Sequence, residues 1–216
     1  AQYNLGQMYR NGDGVTEDDS QAVYWYKKAA EQGHAKAQYN LGVMYSYGEG
    51  VAEDDTQAVY WYKKAAEQGD AAAQYNLGNM YDFGKGVTED DTQAVYWYRK
   101  AAEQGVAIGQ WSLATMYQYG EGVAEDDTQA VYWYRKAAEQ GNTHAQFSLG
   151  LMYDFGYGVA EDDTQAVYWY RKAAEQGYAK AQYNLGLKYG KGEGVAEDYI
   201  LAYKWANLAA AQGDKD

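Results

Sequence analysis

Cysteine and proline are both absent from the chain. Without cysteine, the protein can form neither a disulfide framework nor a thiolate metal site. Without proline, its 25 glycines are the strongest breaks between periodic segments. The sequence therefore predicts regular elements that are separated by glycine alone.

Positive charge is scarce, because 18 Lys and Arg residues face 31 Asp and Glu residues, for a net charge of −13. Nucleic acids and anionic membrane surfaces attract basic proteins, so neither is predicted as a partner. A basic or neutral partner remains compatible with this charge. No apolar run approaches the roughly 20 residues that span a bilayer, so no membrane insertion is predicted.

The chain repeats itself with a period of 36 residues. Tryptophan recurs at this spacing six times, at Trp25, Trp61, Trp97, Trp133, Trp169 and Trp205. A leucine recurs in the same way, at Leu5, Leu41, Leu77, Leu113, Leu149 and Leu185. The predicted units are 1–36, 37–72, 73–108, 109–144, 145–180 and 181–216, which form a single domain over 1–216.

Each unit carries two helical patterns on either side of a glycine-rich break. In the second unit the first pattern is AKAQYNLGVMYSY, where Ala37, Leu41, Met44 and Tyr45 fall on one helical face. Gly48 is placed for a left-handed C-terminal cap. The helix interior holds a further glycine, and we expect the backbone of a neighbouring helix to approach closely there.

The second pattern begins at Asp54, which forms a predicted capping box with Gln57 three residues later. We therefore assign the repeated Glu-Asp-Asp run to helix capping rather than to stacked cation sites. Gly69 ends this helix. Its predicted apolar stripe consists of Ala58, Trp61, Tyr62, Ala65 and Ala66. The pattern predicts about twelve short helices in six antiparallel pairs, stacked as an all-α solenoid.

The segment AQYNLGVMYSYGEGVAEDDTQAVYWYKKAAEQG resembles a Sel-one-like repeat, a relative of the tetratricopeptide repeat. The resemblance covers all six units. It implies a right-handed α/α superhelix whose first helices line a concave face that holds peptides or proteins. It also implies a non-enzymatic adaptor. The disulfide-stapled subgroup of this family is not expected, because cysteine is absent.

Differences among the six units are concentrated on one face of the first helix, away from the Leu41–Met44 stripe. Variation on an exposed face above a constant frame is typical of a repeat protein whose binding has been tuned. Aromatic residues are frequent there, and such residues dominate binding hot spots. The predicted partner-binding residues are Lys36, Tyr39, Asn40, Val43, Tyr47, Tyr75, Asn76, Asn79, Asp82, Phe83, Ile108, Trp111, Thr115, Tyr119, His144, Phe147, Leu151, Asp154, Phe155, Lys180, Tyr183 and Leu187.

Two alternatives to peptide binding stay open. Spaced aromatic rings also stack on sugars, which would make the chain a carbohydrate-binding solenoid. Near-identical repeats are also expected of a structural array without a specific ligand. In addition, the aromatic residues in the middle of the first helices, such as Tyr39, are equally well explained as space-filling groups between helices.

The sequence offers no pattern for catalysis, a cofactor or a metal. The two histidines, His34 and His144, occupy different positions of different repeats, whereas zinc needs three or four close ligands. The glycines of the GEGV segment end a helix and do not follow a strand, so they do not predict a phosphate-binding loop. We predict no catalytic, cofactor-binding or metal-binding residue and no enzymatic activity.

The last repeat differs strongly from the others and is more apolar. An exposed apolar patch indicates a contact, so we expect either a further capping segment or self-association at this end. The chain also opens inside a repeat, and we expect it to be part of a longer protein. The residues predicted to mediate self-association are Tyr199, Ile200, Leu201, Tyr203 and Leu208.

Overall fold

The computed structural model describes residues 1–213, and within this range all regular structure is helical. The helices are α1 (Gln2–Asn11), α2 (Asp19–Glu31), α3 (Ala35–Tyr47), α4 (Asp55–Glu67), α5 (Ala71–Asp82), α6 (Asp91–Glu103), α7 (Ala107–Tyr119), α8 (Asp127–Glu139), α9 (Thr143–Phe155), α10 (Asp163–Glu175), α11 (Ala179–Lys191) and α12 (Tyr199–Gly213). The predicted all-α class is confirmed.

Consecutive helices form six pairs, which we number 1 to 6 in chain order. The chain divides into two compact units, an N-terminal half (Ala1–Val106, pairs 1–3) and a C-terminal half (Ala107 onward, pairs 4–6). Within each half, the first helix of a pair also packs against the second helix of the preceding pair. The solenoid-like stacking of helix pairs is therefore confirmed within each half.

The second helices begin as predicted, although the capping box is only half formed. Asp54 accepts a hydrogen bond from the backbone N–H of Gln57 at 3.0 Å, which satisfies one free amide of the first turn. In a full box, the side chain of Gln57 would bind the N–H of Asp54 in return. That N–H instead donates to the carbonyl of Tyr45 at 2.9 Å, which ties the loop to the preceding helix.

Several first helices are capped by a glycine at the C-terminal end and by a polar side chain at the N-terminal end, as these examples show. Gly48 adopts the left-handed conformation (φ 68°), and its N–H donates to the carbonyl of Met44, as predicted. At the other end, the side chains of His34, Asp70 and Asn142 each accept a hydrogen bond from the backbone three residues later. His34 is thus a helix cap.

The cores of pairs 1 to 5 are each built around a buried tyrosine on the second helix. Tyr62 lies against Gly42 of the first helix, where an added Cβ would come within 2.6 Å of its ring. The expected close approach of a helix backbone at Gly42 is therefore wrong, because a side-chain ring fills that space. In pair 6, by contrast, a Cβ added at the equivalent Gly186 would lie 3.1 Å from the backbone carbonyl oxygen of Ala202, because Ala206 replaces the tyrosine.

A buried glutamine connects neighbouring pairs, which the sequence analysis did not predict. Gln38 donates to the carbonyl of Ala30 in the preceding pair at 3.0 Å and accepts from Gln68 of its own pair at 2.6 Å. The same arrangement recurs at Gln74 in the N-terminal half and at Gln146 and Gln182 in the C-terminal half. These bonds satisfy amides that would be costly to bury unpaired.

Candidate partner-binding face

The predicted partner-binding residues lie on the exposed sides of α3 and α5 in the N-terminal half and of α7, α9 and α11 in the C-terminal half. In either half we call this surface the first-helix face. None of the 22 residues is fully buried. They differ, however, in how far their side chains are available to a partner. Two groups of aromatic residues show this difference.

The aromatic side chains at the ends of the first helices are largely exposed. Tyr47, Phe83, Tyr119 and Phe155 expose 72%, 61%, 64% and 58% of their surface. They alternate between tyrosine and phenylalanine from one repeat to the next. These four residues, which we call the end aromatics, present large apolar surface without a place in the core.

The aromatic side chains in the middle of the first helices are half-buried in the frame. The Tyr39 ring centroid lies 6.1 Å from that of Tyr62, and the Phe147 centroid lies 5.9 Å from that of Tyr170. These rings therefore pack on the buried tyrosine of their own pair. Tyr183 is the exception, with 55% exposure, because Ala206 provides no ring beneath it.

Several polar residues of the first-helix face also form hydrogen bonds with the buried tyrosines of the second helices. The hydroxyl of Tyr98 donates to Asp82 at 2.8 Å, and in the C-terminal half Tyr170 donates to Asp154 at the same distance. Burial is the main cause of the raised pKa of Asp82, with a further contribution from the charge of Asp91. Because these carboxylates already accept a hydrogen bond from a tyrosine hydroxyl, less of their hydrogen-bonding capacity is available to a partner.

The predicted asparagines have a similar double role. Asn40, Asn76 and Asn184 lie within hydrogen-bonding reach of the buried tyrosine hydroxyl of the preceding pair. In pair 4, the hydroxyl of Thr115 lies 3.1 Å from the hydroxyl of Tyr134, the buried tyrosine of its own pair. These side chains are half-buried and each keeps part of its surface toward solvent.

Two cavities occupy equivalent positions, one in each half of the chain. The 2/3 cavity, of about 150 Å³, lies between pairs 2 and 3 and includes Tyr47, Asp55 and Asn76 in its lining. The 5/6 cavity, of about 370 Å³, lies between pairs 5 and 6 and is lined mostly by the residues 108 positions later, including Phe155, Asp163 and Asn184. The period of the chain thus places the two cavities at equivalent positions, but their chemistry differs, because Ser46 and Lys85 of the 2/3 cavity are replaced by Asp154 and Glu193 in the 5/6 cavity.

Lys188 distinguishes the 5/6 cavity and was missed by the sequence analysis. The equivalent positions hold the core methionines Met44, Met80, Met116 and Met152. The ammonium of Lys188 pairs with Asp154, with Asp163 at 2.6 Å and with Glu193 at 3.2 Å. Burial alone would lower the pKa of Lys188, but the hydrogen bonds to these carboxylates raise it overall. The break in the methionine series was the available signal.

A second exposed apolar surface lies on pair 6. Tyr199, Ile200 and Tyr203 expose 69%, 82% and 71% of their surface, and Leu208 is also exposed. Leu201, in contrast, packs partly against the core. Beside them, two apolar hollows of about 550 and 470 Å³ share Tyr183 and Ala206 in their linings. The missing tyrosine at position 206 thus creates space next to exposed aromatic side chains.

The second helices carry a separate series of exposed tyrosines. Each ring meets the neighbouring tryptophan edge-on, with a centroid distance of 4.8 Å for Tyr60 and Trp61. Lys64 lies over the Tyr60 ring at 5.0 Å. The other tyrosines, Tyr24, Tyr96, Tyr132 and Tyr168, make the same contacts. Local packing accounts for this series.

Within residues 1–213, no group of three or more His, Cys, Asp or Glu side chains is arranged to hold a metal ion. None of the helices described is long and apolar enough to cross a membrane.

Comparison with known proteins identifies one repeat type. A model of the Sel1 repeat matches residues 1–34, 35–70, 71–106, 107–142, 143–178 and 179–214. No curated protein matches the chain. From the second unit onward, the matched segments begin two residues earlier than the predicted units. Each of these segments therefore starts with its first helix and contains one complete helix pair.

Solved structures with this repeat are close in both sequence and fold. The chain is 44% identical to a protective antigen of uropathogenic Escherichia coli with an SLR fold, with a TM-score of 0.95. The aligned region covers 99% of this chain and 46% of the antigen. It is also 36% identical to a Sel1 repeat protein from Oxalobacter formigenes, with a TM-score of 0.87, and the aligned region covers 99% of this chain and 83% of that protein. The chain thus spans less than half the length of the E. coli protein.

A more distant structure shares the fold alone. An immunity protein from Pseudomonas aeruginosa is 24% identical over 96% of this chain and 81% of its own length, with a TM-score of 0.54.

Proposed function

Because the chain belongs to the Sel1 repeat family, we propose that it binds a peptide or protein segment on its first-helix face. Sel1 repeat proteins are generally protein-interaction scaffolds. The observation that carries the proposal is the exposure of the end aromatics, which vary above a constant frame. Aromatic side chains offer large contact area at a small entropic cost, and they are enriched in binding hot spots.

We propose that the chain acts without catalysis, as is general for this family. Catalytic sites need singular groups with perturbed environments. Here most acidic side chains recur in each repeat, and the strongly shifted tyrosines are the buried frame residues. The face therefore supports recognition rather than bond chemistry.

The test starts from peptides selected out of a displayed random library on the immobilised chain. Their affinity is then measured for the chain and for a variant with Tyr47, Phe83, Tyr119 and Phe155 all changed to alanine. We expect the variant to bind at least about tenfold more weakly, because each hot-spot aromatic contributes on the order of 1–2 kcal/mol.

A matched control comes from the second helices. Alanine at Tyr60, Tyr96, Tyr132 and Tyr168 removes four aromatic rings that are about half-exposed, and this variant should retain binding. Equal loss in both variants, or none in the first, would contradict the proposal. Binding to a glycan array that Trp111→Ala abolishes, without peptide binding, would favour a carbohydrate ligand instead.

A second candidate function is self-association through pair 6. Exposed apolar patches of this kind mark contacts, and here aromatic side chains lie beside hollows of about 470 and 550 Å³. A patch that presents both protruding and recessed apolar groups can complement a second copy of itself. Tyr203 and Ala206, one helical turn apart on α12, are the protruding and recessed members.

A further inference from the structure

We infer that pair 6 is a detachable unit, which a cluster of charged side chains holds on pair 5. The cluster consists of the ammonium of Lys188 and the carboxylates of Asp154, Asp163 and Glu193, and we call it the ionic lock. It lies within the C-terminal half and does not depend on the proposed peptide binding. When the lock is broken, α11 leaves the side of α10 that it covers, and α12 moves with it.

Three separate elements supply the carboxylates of the ionic lock. Asp154 lies at the end of α9, Asp163 is the first residue of α10, and Glu193 follows α11. The ammonium of Lys188 lies 2.6 Å from Asp163 and 3.2 Å from Glu193, and it also pairs with Asp154. These charge-assisted bonds offset part of the cost of burying Lys188, which is 8% exposed. Because Asp154 and Asp163 belong to pair 5, the lock joins the two pairs.

The junction of pairs 4 and 5, in the same half, is a neutral counterpart of the ionic lock. There the core residue Met152 stands in the place of Lys188, and Gln118 stands in the place of Asp154. The amide nitrogen of Gln118 lies 3.8 Å from the sulfur of Met152, and its carbonyl accepts a hydrogen bond from the hydroxyl of Tyr134 at 2.7 Å. The fold thus docks one pair on the next without an ion at this position.

The lysine makes the docking of pair 6 conditional on the charge of pair 5. Without the carboxylate of Asp154, the ammonium of Lys188 would lie buried beside fewer counter-charges. A buried charge that has lost its partner is strongly destabilising, whereas an apolar side chain at the same place is not. The ammonium regains its hydration when α11 moves away from α10.

The remaining contacts of pair 6 are weaker than those of pair 5. None of the residues of α12, Tyr199–Gly213, is fully buried, whereas α10 buries six residues. Ala206 also stands where the other second helices carry the buried tyrosine. Segments with few buried apolar contacts open at a lower free energy than the rest of a domain. Loss of the lock therefore releases pair 6 before pairs 4 and 5 unfold.

The reactivity of an introduced cysteine measures this opening, because the chain contains no cysteine of its own. Ala181→Cys places one thiol at a fully buried position of α11. Ala145→Cys, in a separate chain, places one at the equivalent buried position of α9 and reports on pair 5. The rate at which dithiobisnitrobenzoate labels each thiol is measured without denaturant, with and without changes in the lock.

We expect Asp154→Gln to accelerate labelling of the α11 thiol at least about tenfold and to leave that of the α9 thiol unchanged. Glutamine is the matched change, because it keeps an acceptor for the hydroxyl of Tyr170, as Gln118 does for Tyr134. Adding Lys188→Met completes the arrangement of the 4/5 junction. This double change should return the rate to within about threefold of that of the intact lock.

Circular dichroism checks that each variant is folded. If Asp154→Gln does not fold, Glu193→Gln takes its place, since it removes a carboxylate of the lock from a partly exposed loop. It should accelerate labelling of the α11 thiol at least about threefold. The assay contains no peptide, so its failure and the failure of the proposed function are separate results.

No acceleration at the α11 thiol when a carboxylate of the lock is removed would overturn the inference. An acceleration by Asp154→Gln that Lys188→Met does not reverse would also overturn it, because the buried ammonium would then not be its cause. Equal acceleration of both thiols would show that the C-terminal half unfolds as a whole, and pair 6 would not be a detachable unit.

Discussion

At the scale of single residues, the contact between a glycine of the first helix and the ring of a buried tyrosine sets the packing of a helix pair, as for Gly42 and Tyr62. The stripe from Ala58 to Ala66 was predicted from spacing and is buried in the structure. Gly42 was recognised as unusual, yet its partner was assigned to a backbone because periodicity carries no information on which side chain fills a gap. The contact of Tyr62 with Gly42 depends on the distance between two helices, which only the packed pair defines.

Replacing Gly42 by alanine is expected to lower stability by about 1 kcal/mol. Alanine gains about 1 kcal/mol of helix propensity over glycine. The new Cβ would lie 2.6 Å from the buried ring of Tyr62, and overpacking of this kind costs about 1–3 kcal/mol. The measurement is the urea midpoint of the variant against that of the unchanged chain.

Gly190→Ala is the matched control for this prediction. It also lies inside a first helix, but its Cβ would meet only the Cβ of Ala202 at an ordinary 3.7 Å. This variant should be as stable as the unchanged chain or more stable. If Gly42→Ala raised the midpoint as much as Gly190→Ala, the ring of Tyr62 would have to yield at little cost.

At the scale of elements, helix ends were predicted well because glycine and the acidic caps act locally. The bounds of α3, and Asp54 as the cap of α4, agree with the prediction. The reciprocal half of the capping box was wrong, because the loop turns the N–H of Asp54 toward Tyr45 of the preceding helix. The glutamine bonds between pairs were missed for the same reason: they join elements, and the sequence pattern describes each element alone.

The buried tyrosines of pairs 1 to 5 predict a loss of stability at alkaline pH. Burial raises the pKa of Tyr134 to about 12, and its hydroxyl donates to Gln118 at 2.7 Å. The contribution of Tyr134 is complete below pH 10. As the pH rises from about 10 to about 12, the unfolded chain loses this proton first, so the free energy of unfolding falls, by about 3 kcal/mol in total.

Thermal unfolding measured across this pH range tests the prediction. Tyr134→Phe should reduce the decline, since it removes one titrating group, while the other buried tyrosines preserve the rest. Tyr132→Phe, at a half-exposed ring two residues away, should leave the profile as it is in the unchanged chain. A profile of Tyr134→Phe identical to that of the unchanged chain would show that this hydroxyl does not contribute.

At the scale of the whole molecule, the period of 36 residues gave the repeat family and the solenoid-like class. The right-handed superhelix and the use of the predicted face remain predictions. Among the residues of that face, the end aromatics are exposed, whereas Asp82, Asp154 and Thr115 also bind the frame. Sequence variation alone could not separate these two groups. A residue that forms a hydrogen bond with a buried tyrosine differs between repeats just as a residue exposed to a partner does.

The exposed apolar surface of pair 6 predicts that the chain forms a symmetric dimer, and that the dimeric fraction increases with salt concentration. Two copies, each with a net charge of −13, repel one another, and salt screens this repulsion while leaving apolar contact intact. Tyr203→Ser removes a protruding ring, and Ala206→Tyr fills the hollow with the residue that the other five second helices carry. Both changes should shift the equilibrium toward monomer in analytical ultracentrifugation.

Tyr132→Ser, which removes an exposed ring from α8, is the control and should leave the dimer unchanged. A self-complementary patch closes after two copies, so the sedimentation data should fit a monomer–dimer equilibrium. A series of growing oligomers would indicate head-to-tail stacking of pair 6 on α1 of the next copy. A strict monomer at the highest attainable concentration and salt would show that this surface does not bind a second copy, even though its apolar side chains are exposed.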